Sequence, residues 1–218
     1  MSDRSDRTTV RRLPEKQVGD RAALDAVLDA GRVAHVAVRD DDGQPFVIPV
    51  AYARDGDHVL FHGSTASRLF RNLAAGVPTC LTVTLLDGLV AARSVFESSM
   101  HYRSAMVLGV PVRRQGDDLQ AGLEVVSEHL MPGRWADARQ PSRKELAQTM
   151  LLALPLAEWS LKVSDAPPDD ADDDLDLPVW AGVLPLREIA GAPVPAPDLR
   201  GTPPVPAYLA SWTGPSRT

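Results

Sequence analysis

Short strand-like runs joined by tight turns are the feature that most constrains how this chain can fold. Residues 33–38, 45–53 and 58–62 are β-type runs, and turns rich in aspartate and glycine at 40–43 and 54–57 connect them. Turns of this chemistry favour hairpins, so the segment predicts a meander of antiparallel strands. Further strand-type runs cover residues 79–86, 89–96, 104–112, 159–163 and 179–186. Six or more strands with few helices favour a closed antiparallel barrel over a parallel α/β sheet.

Helical periodicity predicts the rest of the regular structure. The predicted helices cover residues 20–28, 68–75, 120–130 and 143–152. Gly31 is expected to stop the first helix. Ser142, followed three residues later by Glu145, predicts a capping box at the start of the last one. The predicted class is therefore mainly β with helices (α+β).

The chain's 218 residues suit one domain with appendages, and 44% hydrophobic residues are enough for a core. Residues 1–18 are polar and predict a flexible arm, and residues 19–190 are expected to form the domain. Within it, residues 165–176 are rich in aspartate and proline and predict a solvated loop. Residues 191–218 are proline-rich and predict an extended or disordered tail.

Composition excludes several classes of protein. The formal net charge of −6 argues against nucleic acid and anionic membranes as partners. No apolar run approaches the roughly 18 residues of a membrane-spanning helix, and no secretory signal is recognisable, so a cytoplasmic protein is expected. Cys80 is the single cysteine, and the histidines are dispersed without ligand spacing, so no metal site is expected. His129, late in a predicted helix, is expected only to interact with the helix dipole.

The segment 59–73 carries the first indication of a ligand. An apolar strand ends in a Gly/Ser/Thr turn, and a helix begins near Arg68 and continues through Arg71. Free backbone N–H groups, the helix dipole and two arginines suit a phosphate group. The alternative is an N-capped helix with its arginines in solvent.

The segment 97–104 is polar, aromatic and cationic, yet it runs into an apolar strand. Polar side chains at the mouth of a barrel are well placed to meet a ligand, and His101 and Tyr102 are the candidate catalytic residues. The alternative is a polar loop in which Tyr102 packs its ring.

Four segments in order resemble the pyridoxamine 5′-phosphate oxidase-like, FMN-binding split-barrel family, nearest to its flavin-nucleotide-binding, nitroimidazole-resistance-related branch. They are PFVIPVAYARDGDHVLFHGSTASRLFRNL from Pro45, VTLLDGLVAARSVF from Val83, SSMHYRSAMVLG from Ser98 and LPVWAGVLPL from Leu177. The resemblance covers roughly residues 20–190. It implies a six-stranded antiparallel split β-barrel with flanking helices, and a homodimer with FMN at the interface.

The resemblance also implies roles for matching positions. The strand 47–50 would lie along the isoalloxazine ring, Ser67 and Arg68 would hold the phosphate, and Trp180 would cover the cofactor. The implied cofactor-binding positions are Val47, Ile48, Pro49, Val50, His62, Gly63, Ser67, Arg68, Arg71, Arg103, Ser104 and Trp180. The implied function is an FMN-dependent oxidoreductase that acts on a small organic substrate by hydride or electron transfer. A split barrel that uses F420 or haem, and a non-enzymatic flavin-binding or sensor protein, are the alternatives.

This chain departs from the family's pattern at two places. Where relatives often carry a His-His pair and an asparagine, it has Glu97-Ser98 and His101. The C-terminal substrate-binding signature of true pyridoxamine-phosphate oxidases has no counterpart in the proline-rich tail. Vitamin B6 oxidation is therefore not the expected activity.

Overall fold

The structure is a computed structural model that describes residues 6–40 and 42–212. Its strands are β1 (Gln17–Val18), β2 (Val33–Arg39), β3 (Pro45–Asp55), β4 (His58–Ser64), β5 (Thr79–Ala91), β6 (Ser99–Gly109), β7 (Val112–Arg114), β8 (Thr149–Pro155), β9 (Glu158–Ser164) and β10 (Gly182–Pro185). Its α-helices are α1 (Arg21–Ala30), α2 (Arg68–Ala74), α3 (Asp117–Leu130), α4 (Arg134–Asp137), α5 (Arg143–Gln148) and α6 (Ala207–Ala210). Three short 3₁₀ helices cover Asp6–Thr8, Pro14–Lys16 and Asp172–Asp174.

The strands form one antiparallel sheet in the order β1-β9-β6-β5-β2-β3-β4-β8-β7, with β10 paired to β5. A mainly antiparallel β protein with several helices is therefore confirmed. The strand count and the closure differ from the prediction, because the sheet has ten strands and its ladder stays open among the described residues. Part of the excess comes from β1, β7 and β10, which have only two to four residues each and therefore little or no alternating pattern of their own.

The main core lies inside the curved sheet, under α1 and α2. Asp20 caps α1 by accepting a hydrogen bond from the Ala22 N–H, and Leu24 and Leu28 point into the core. Tyr52 is fully buried, and its hydroxyl donates a 2.6 Å hydrogen bond to the Leu28 carbonyl. Burial raises the pKa of Tyr52, so the phenol stays protonated and ties α1 to β3.

A second, smaller core lies on the opposite face of β3, β4 and β8, under α3. Leu60, Val126 and Leu151 are buried there. Gly122 lets α3 approach the sheet, because a Cβ at this position would come within 2.3 Å of the Leu151 side chain. The sheet is therefore covered by helices on two sides, and this second cover forms one wall of a cavity described below.

Two predicted strands are one strand in the structure. β5 runs without a break through Asp87 and Gly88, where a turn was predicted, and its ladder with β6 contains a bulge between Leu86 and Gly88. Gly88 has no positive φ; a Cβ there would lie 3.1 Å from the Leu184 carbonyl oxygen of β10. The glycine serves a close approach between strands, and the predicted strand 89–96 ends at Ala91. β6 begins at Ser99, so the prediction of a strand start at residue 104 was also wrong.

The predicted helix 143–152 is wrong over its second half. The capping box of Ser142 and Glu145 is confirmed, but α5 ends at Gln148 and the chain continues as β8. Leu151 and Leu152 are fully buried between β4 and β7, so tertiary packing overrides the local helical pattern. The predicted last strand, 179–186, is shorter and begins only at Gly182.

The appendages make specific contacts. In the N-terminal arm, Gln17 pairs with Lys162 of β9, and Arg7 forms a 2.6 Å ion pair with Glu158. In the tail, the Tyr208 hydroxyl donates a 2.7 Å hydrogen bond to Asp137, and Trp212 lies under the Arg32 guanidinium. Residues 1–5 and 213–218 of the predicted arm and tail lie outside the described residues.

The expectation for His129 was wrong. Its Nε2 makes a 2.7 Å hydrogen bond with the Gly31 carbonyl, and its ring packs against Tyr52. It therefore links α3 to the end of α1. Across the described part of the chain, the helices lack the combination of length and apolar character that crossing a membrane requires.

Candidate functional site

One face of the sheet presents several of the predicted site residues together. In the ladder β3-β2-β5-β6, cross-strand partners share a face, and Pro49, His35, Thr82 and Met106 form one row. Ser104, paired with Thr84, lies two residues further along the same face. We call this side, which points away from the main core, the outer face; it is only partly covered.

The outer face combines apolar surface with hydroxyl groups. Val33 and Val47 are 51% and 57% exposed. The hydroxyls of Thr84 and Ser104 lie 3.3 Å apart in a mutual hydrogen bond. A flat surface of this kind suits a planar aromatic ring that needs apolar contact and a few hydrogen bonds at its edge.

The side chains of residues 47–50 do not all lie on the same face of the sheet. Val47 and Pro49 lie on the outer face, whereas Ile48 and Val50 pair with Val36 and Ala34 on the other side. Successive side chains of a strand point to opposite faces, so only alternate residues can meet one ligand through their side chains.

Arg103 and Ser104 are also on opposite sides of β6. The Arg103 guanidinium donates two hydrogen bonds, of 2.9 and 3.0 Å, to the Asp87 carboxylate. This ion pair raises the pKa of Arg103. Asp87 neutralises Arg103 locally, so Ser104 is the better placed of the two for a ligand on the outer face.

The start of α2 has the composition of an anion site. Ser67 stands at the N-cap position with extended backbone, yet its hydroxyl makes no capping hydrogen bond. The Arg68 side chain is 64% exposed, stacks on the Phe46 ring at 4.6 Å and lies 3.9 Å from the Asp40 carboxylate. Arg71 is exposed one turn along. A serine hydroxyl and two cations therefore remain available to a phosphate.

Gly63 has a packing role in the structure. A Cβ at this position would come within 2.2 Å of the Phe70 ring of α2. This contact explains the glycine without a ligand.

Trp180 lies far from the strand 47–50 within one protomer. Val47 pairs with Ala37, which pairs with Cys80, whereas Trp180 stands two residues before Gly182, the partner of Ala91. Cys80 and Ala91 are eleven residues apart on β5, roughly 35 Å at about 3.3 Å per residue. Trp180 is 70% exposed and its ring packs on Gly182. A single flavin could contact both places only if the second came from another protomer.

The two predicted catalytic residues are strand residues. His101 pairs with Gly88, and its Nε2 makes a 2.7 Å hydrogen bond with the Ala166 carbonyl. Tyr102 pairs with Leu86 and Ser164, in the half-buried part of β6. They point to opposite sides, so they do not form one catalytic pair.

A cavity of about 580 Å³ is lined by residues 97–100, part of the segment 97–104 that the sequence indicated as a possible ligand contact. The N-terminal arm, the loop with Phe96 and the segment 163–169 line it. Phe96, one of the lining residues, is 89% exposed. The other walls come from segments distant in sequence, so the pattern of residues 97–104 alone could not show an enclosed cavity.

His62 does not share a site with Gly63. Its side chain lines a cavity of about 420 Å³ between β4 and the helices α3, α4 and α5. Its Nδ1 is buried without a hydrogen-bond partner, a state that costs on the order of 1–3 kcal/mol for a polar group. Burial lowers the pKa of His62, so its imidazole is neutral near pH 7. Leu123, Val126 and Leu130 supply apolar walls.

The mouth of this cavity is polar. Arg139 and Glu145 line it and form a 2.8 Å ion pair. Arg139, together with the capping hydrogen bond from Ser142, lowers the pKa of Glu145 to about 2. The described residues contain no cluster of three or more histidine, cysteine or acidic side chains able to bind a metal ion.

Comparisons with known proteins identify the family of this chain. The family model described as pyridoxamine 5′-phosphate oxidase matches residues 20–163, and the chain belongs to this family. The comparison with curated proteins gives no match.

Two solved structures are similar over nearly the whole chain. One is the FAD and heme binding protein from Mycobacterium smegmatis, with 44% identity over 91% of this chain and 98% of that chain, and a TM-score of 0.87. The other is the flavocytochrome Anf3 from Azotobacter vinelandii, with 39% identity over 94% and 95% of the two chains, and a TM-score of 0.88.

A more distant structure shares the fold alone. It is a protein from Bacteroides thetaiotaomicron provisionally assigned to 5-nitroimidazole antibiotic resistance. It has 19% identity over 67% of this chain and 86% of that chain, with a TM-score of 0.59.

Proposed function

We propose that this protein is a homodimeric flavoprotein that binds a flavin nucleotide between its protomers and transfers hydride or electrons to or from a small organic molecule. The observation that carries the proposal is the 44% identity, over 91% of the chain, to a protein described as FAD- and haem-binding. With a TM-score of 0.87, the two chains share the fold over this length. The flavin supplies the redox chemistry, and the protein supplies binding and orientation.

Geometry supports a flavin shared between two protomers. The outer face offers exposed apolar surface and hydroxyl groups, and Ser67 with Arg68 offers unfilled donors for a phosphate. Trp180 lies too far along β5 to join this set within one protomer. A two-fold dimer would bring each protomer's Trp180 to the other's flavin, and such dimers are the commonest protein oligomers.

The M. smegmatis relative favours FAD over the FMN that the sequence resemblance implied. It also favours haem as a second cofactor, which the Azotobacter flavocytochrome supports. F420 has no support from either of these two relatives. We therefore propose a flavin and a haem in the same protein, with electron exchange between them as one step of its reaction with the organic molecule.

The organic substrate would enter beside His101 and Tyr102. The cavity of about 580 Å³ is lined by Ser99 and Met100, which lead into these residues, and by the exposed Phe96. If no physiological donor reduces the flavin and the protein oxidises no substrate, the protein would instead be a flavin carrier or sensor.

The test starts from the native protein. Absorbance spectra of the purified protein, and mass spectra of the ligands it releases, identify flavin and haem separately. Arg68→Ala removes one charge-assisted phosphate contact and is expected to weaken flavin binding about 10- to 100-fold. Arg200→Ala removes an exposed arginine of the tail and serves as the matched control.

Titration of flavin-stripped protein with FAD and with FMN, followed by flavin fluorescence, measures both variants. Unchanged affinity in the Arg68 variant would refute the phosphate assignment. Native protein without flavin, which also fails to bind added FAD or FMN, would refute the proposed function.

A further inference from the structure

We propose that His62 is an axial ligand of a haem iron bound in the cavity between β4 and the helices α3, α4 and α5. The inference rests on the proposed function, in which haem is the second cofactor, and it assigns the site that holds it.

One ring nitrogen of His62 lacks a hydrogen-bond partner. His62 lines the cavity, and its Nδ1 is buried without a hydrogen-bond partner. His101 and His129, which are only partly buried, each make a hydrogen bond from a ring nitrogen with a backbone carbonyl, whereas the buried Nδ1 of His62 has no partner. The buried Nδ1 is not accessible to a ligand, so Nε2 is the nitrogen that would bind iron, and the neutral imidazole is the form of histidine that does so.

Part of the cavity wall is apolar and aromatic. Leu123, Val126 and Leu130 present one apolar face of α3, and Trp135 adds an aromatic ring from α4. The apolar part of the lining suits the faces of a porphyrin, which must leave water to bind, while Ser127 and Thr149 add polar groups to the walls. The volume of about 420 Å³ is open on one side, so the edge of a larger ring can remain in solvent.

The mouth of the cavity carries two charged side chains of opposite sign. Haem carries two carboxylate groups on one edge, and Arg139 stands at the open side with its side chain 71% exposed. Its partner Glu145 lies on α5, whose capping box fixes the carboxylate at the rim. Glu145 neutralises Arg139 locally through hydrogen bonds of 2.8 and 3.0 Å, so a haem carboxylate would have to share Arg139 with Glu145 or displace it.

The position of the cavity separates it from the flavin surface. His62 and Leu60 point to the α3 side of β4, whereas Phe61 and Gly63 point to the main core and α2. The cavity thus lies behind the strand that leads into the proposed phosphate site.

The test compares His62→Ala with His58→Ala. His58 is on the same strand and the same face but does not line the cavity. Each protein is purified without added cofactor and again after incubation with haemin. Haem is quantified as its pyridine complex, iron ligation is read from the Soret band and electron paramagnetic resonance, and flavin is measured independently.

We expect one haem per protomer in the wild type and in His58→Ala, and at least tenfold less in His62→Ala. Flavin content is expected to be equal in all three, which shows that the variants are folded. In His62→Gly, free imidazole should restore the Soret band, because it fills the space of the missing ring.

Two failures are distinguishable. If the wild type holds haem and His62→Ala keeps it with an unchanged resonance spectrum, the assignment of His62 is wrong while the proposed function stands. If the wild type holds flavin but takes up no haem even from haemin, both the assignment and the haem part of the proposed function are wrong.

Discussion

Single residues of this protein are fixed by contacts that their neighbours in sequence do not reveal. Gly63 is followed by a hydroxyl-rich turn, and a glycine in that context suggests backbone freedom. In the structure it gives room to the Phe70 ring instead, since a Cβ would lie 2.2 Å from Phe70 Cε2. The ring is 4% exposed and cannot move into solvent without loss of core contacts.

Gly63→Ala is therefore expected to destabilise the fold by about 1–3 kcal/mol, the usual cost of overpacking a core. Chemical denaturation of the variant and the wild type measures the difference. Phe70→Leu provides space at the same point, so the double variant should recover part of the loss. Gly43→Ala tests glycine replacement in open space; its φ of +85° makes it unfavourable through the backbone alone. Equal stability of Gly63→Ala and the wild type would contradict the packing role.

His62 shows what a sequence can and cannot tell at this scale. The strand–turn–helix pattern correctly placed it near the end of a strand. Its burial comes from Leu123 to Thr149, segments more than sixty residues away, so no local pattern could have shown it. The same holds for Arg103, whose partner Asp87 lies on the neighbouring strand across a bulge.

At the scale of elements, local chemistry predicted where most strands and helices lie but not where they end. α1 and the capping box of α5 follow their capping residues. β5 and β8 do not follow the local pattern, which predicted a turn at Asp87-Gly88 and a helix after Gln148. Neighbouring strands on both sides hold these residues in strand conformation. Hydrogen bonds to neighbouring strands are tertiary information, and a single sequence carries little of it.

The acidic segment 165–176 is attached to the rest of the fold by a buried side chain. Its aspartates predicted a solvated loop, yet the Asp170 side chain is only 2% exposed. Asp170 accepts hydrogen bonds from the Arg93 backbone N–H at 2.5 Å and from the Arg93 guanidinium at 2.9 Å. One carboxylate thus fastens the loop to the chain just beyond β5.

Asp170→Ala is expected to release this loop and to cost about 3 kcal/mol, because it leaves the partly buried Arg93 cation without its partner. Hydrogen exchange followed by mass spectrometry should show faster exchange in residues 165–176, where the neighbouring Asp172→Ala should not. Slow exchange in both variants would mean that other contacts hold the loop.

At the scale of the whole molecule, the apolar outer face is the feature that a single protomer does not explain. Val33 and Val47 are each more than half exposed on this sheet surface, and Trp180 is 70% exposed at the other end of β5. Apolar side chains in one contiguous patch usually mark an interface. Sequence alternation shows which residues point outward, but whether water or a second protein covers them depends on the assembly.

Val33→Glu is therefore expected to weaken dimer formation by at least about 2 kcal/mol, roughly 30-fold in the dissociation constant. A two-fold axis would place two such charges close together in apolar surroundings. Ile189→Glu is the matched control, since Ile189 is 84% exposed in the segment after β10, off the sheet. Sedimentation of flavin-loaded protein should give about twice the 23.5 kDa chain mass for the wild type and the control. If the flavin lies between protomers, Val33→Glu should lose it as the dimer dissociates on dilution, whereas a wild type that holds flavin as a monomer would contradict the shared site.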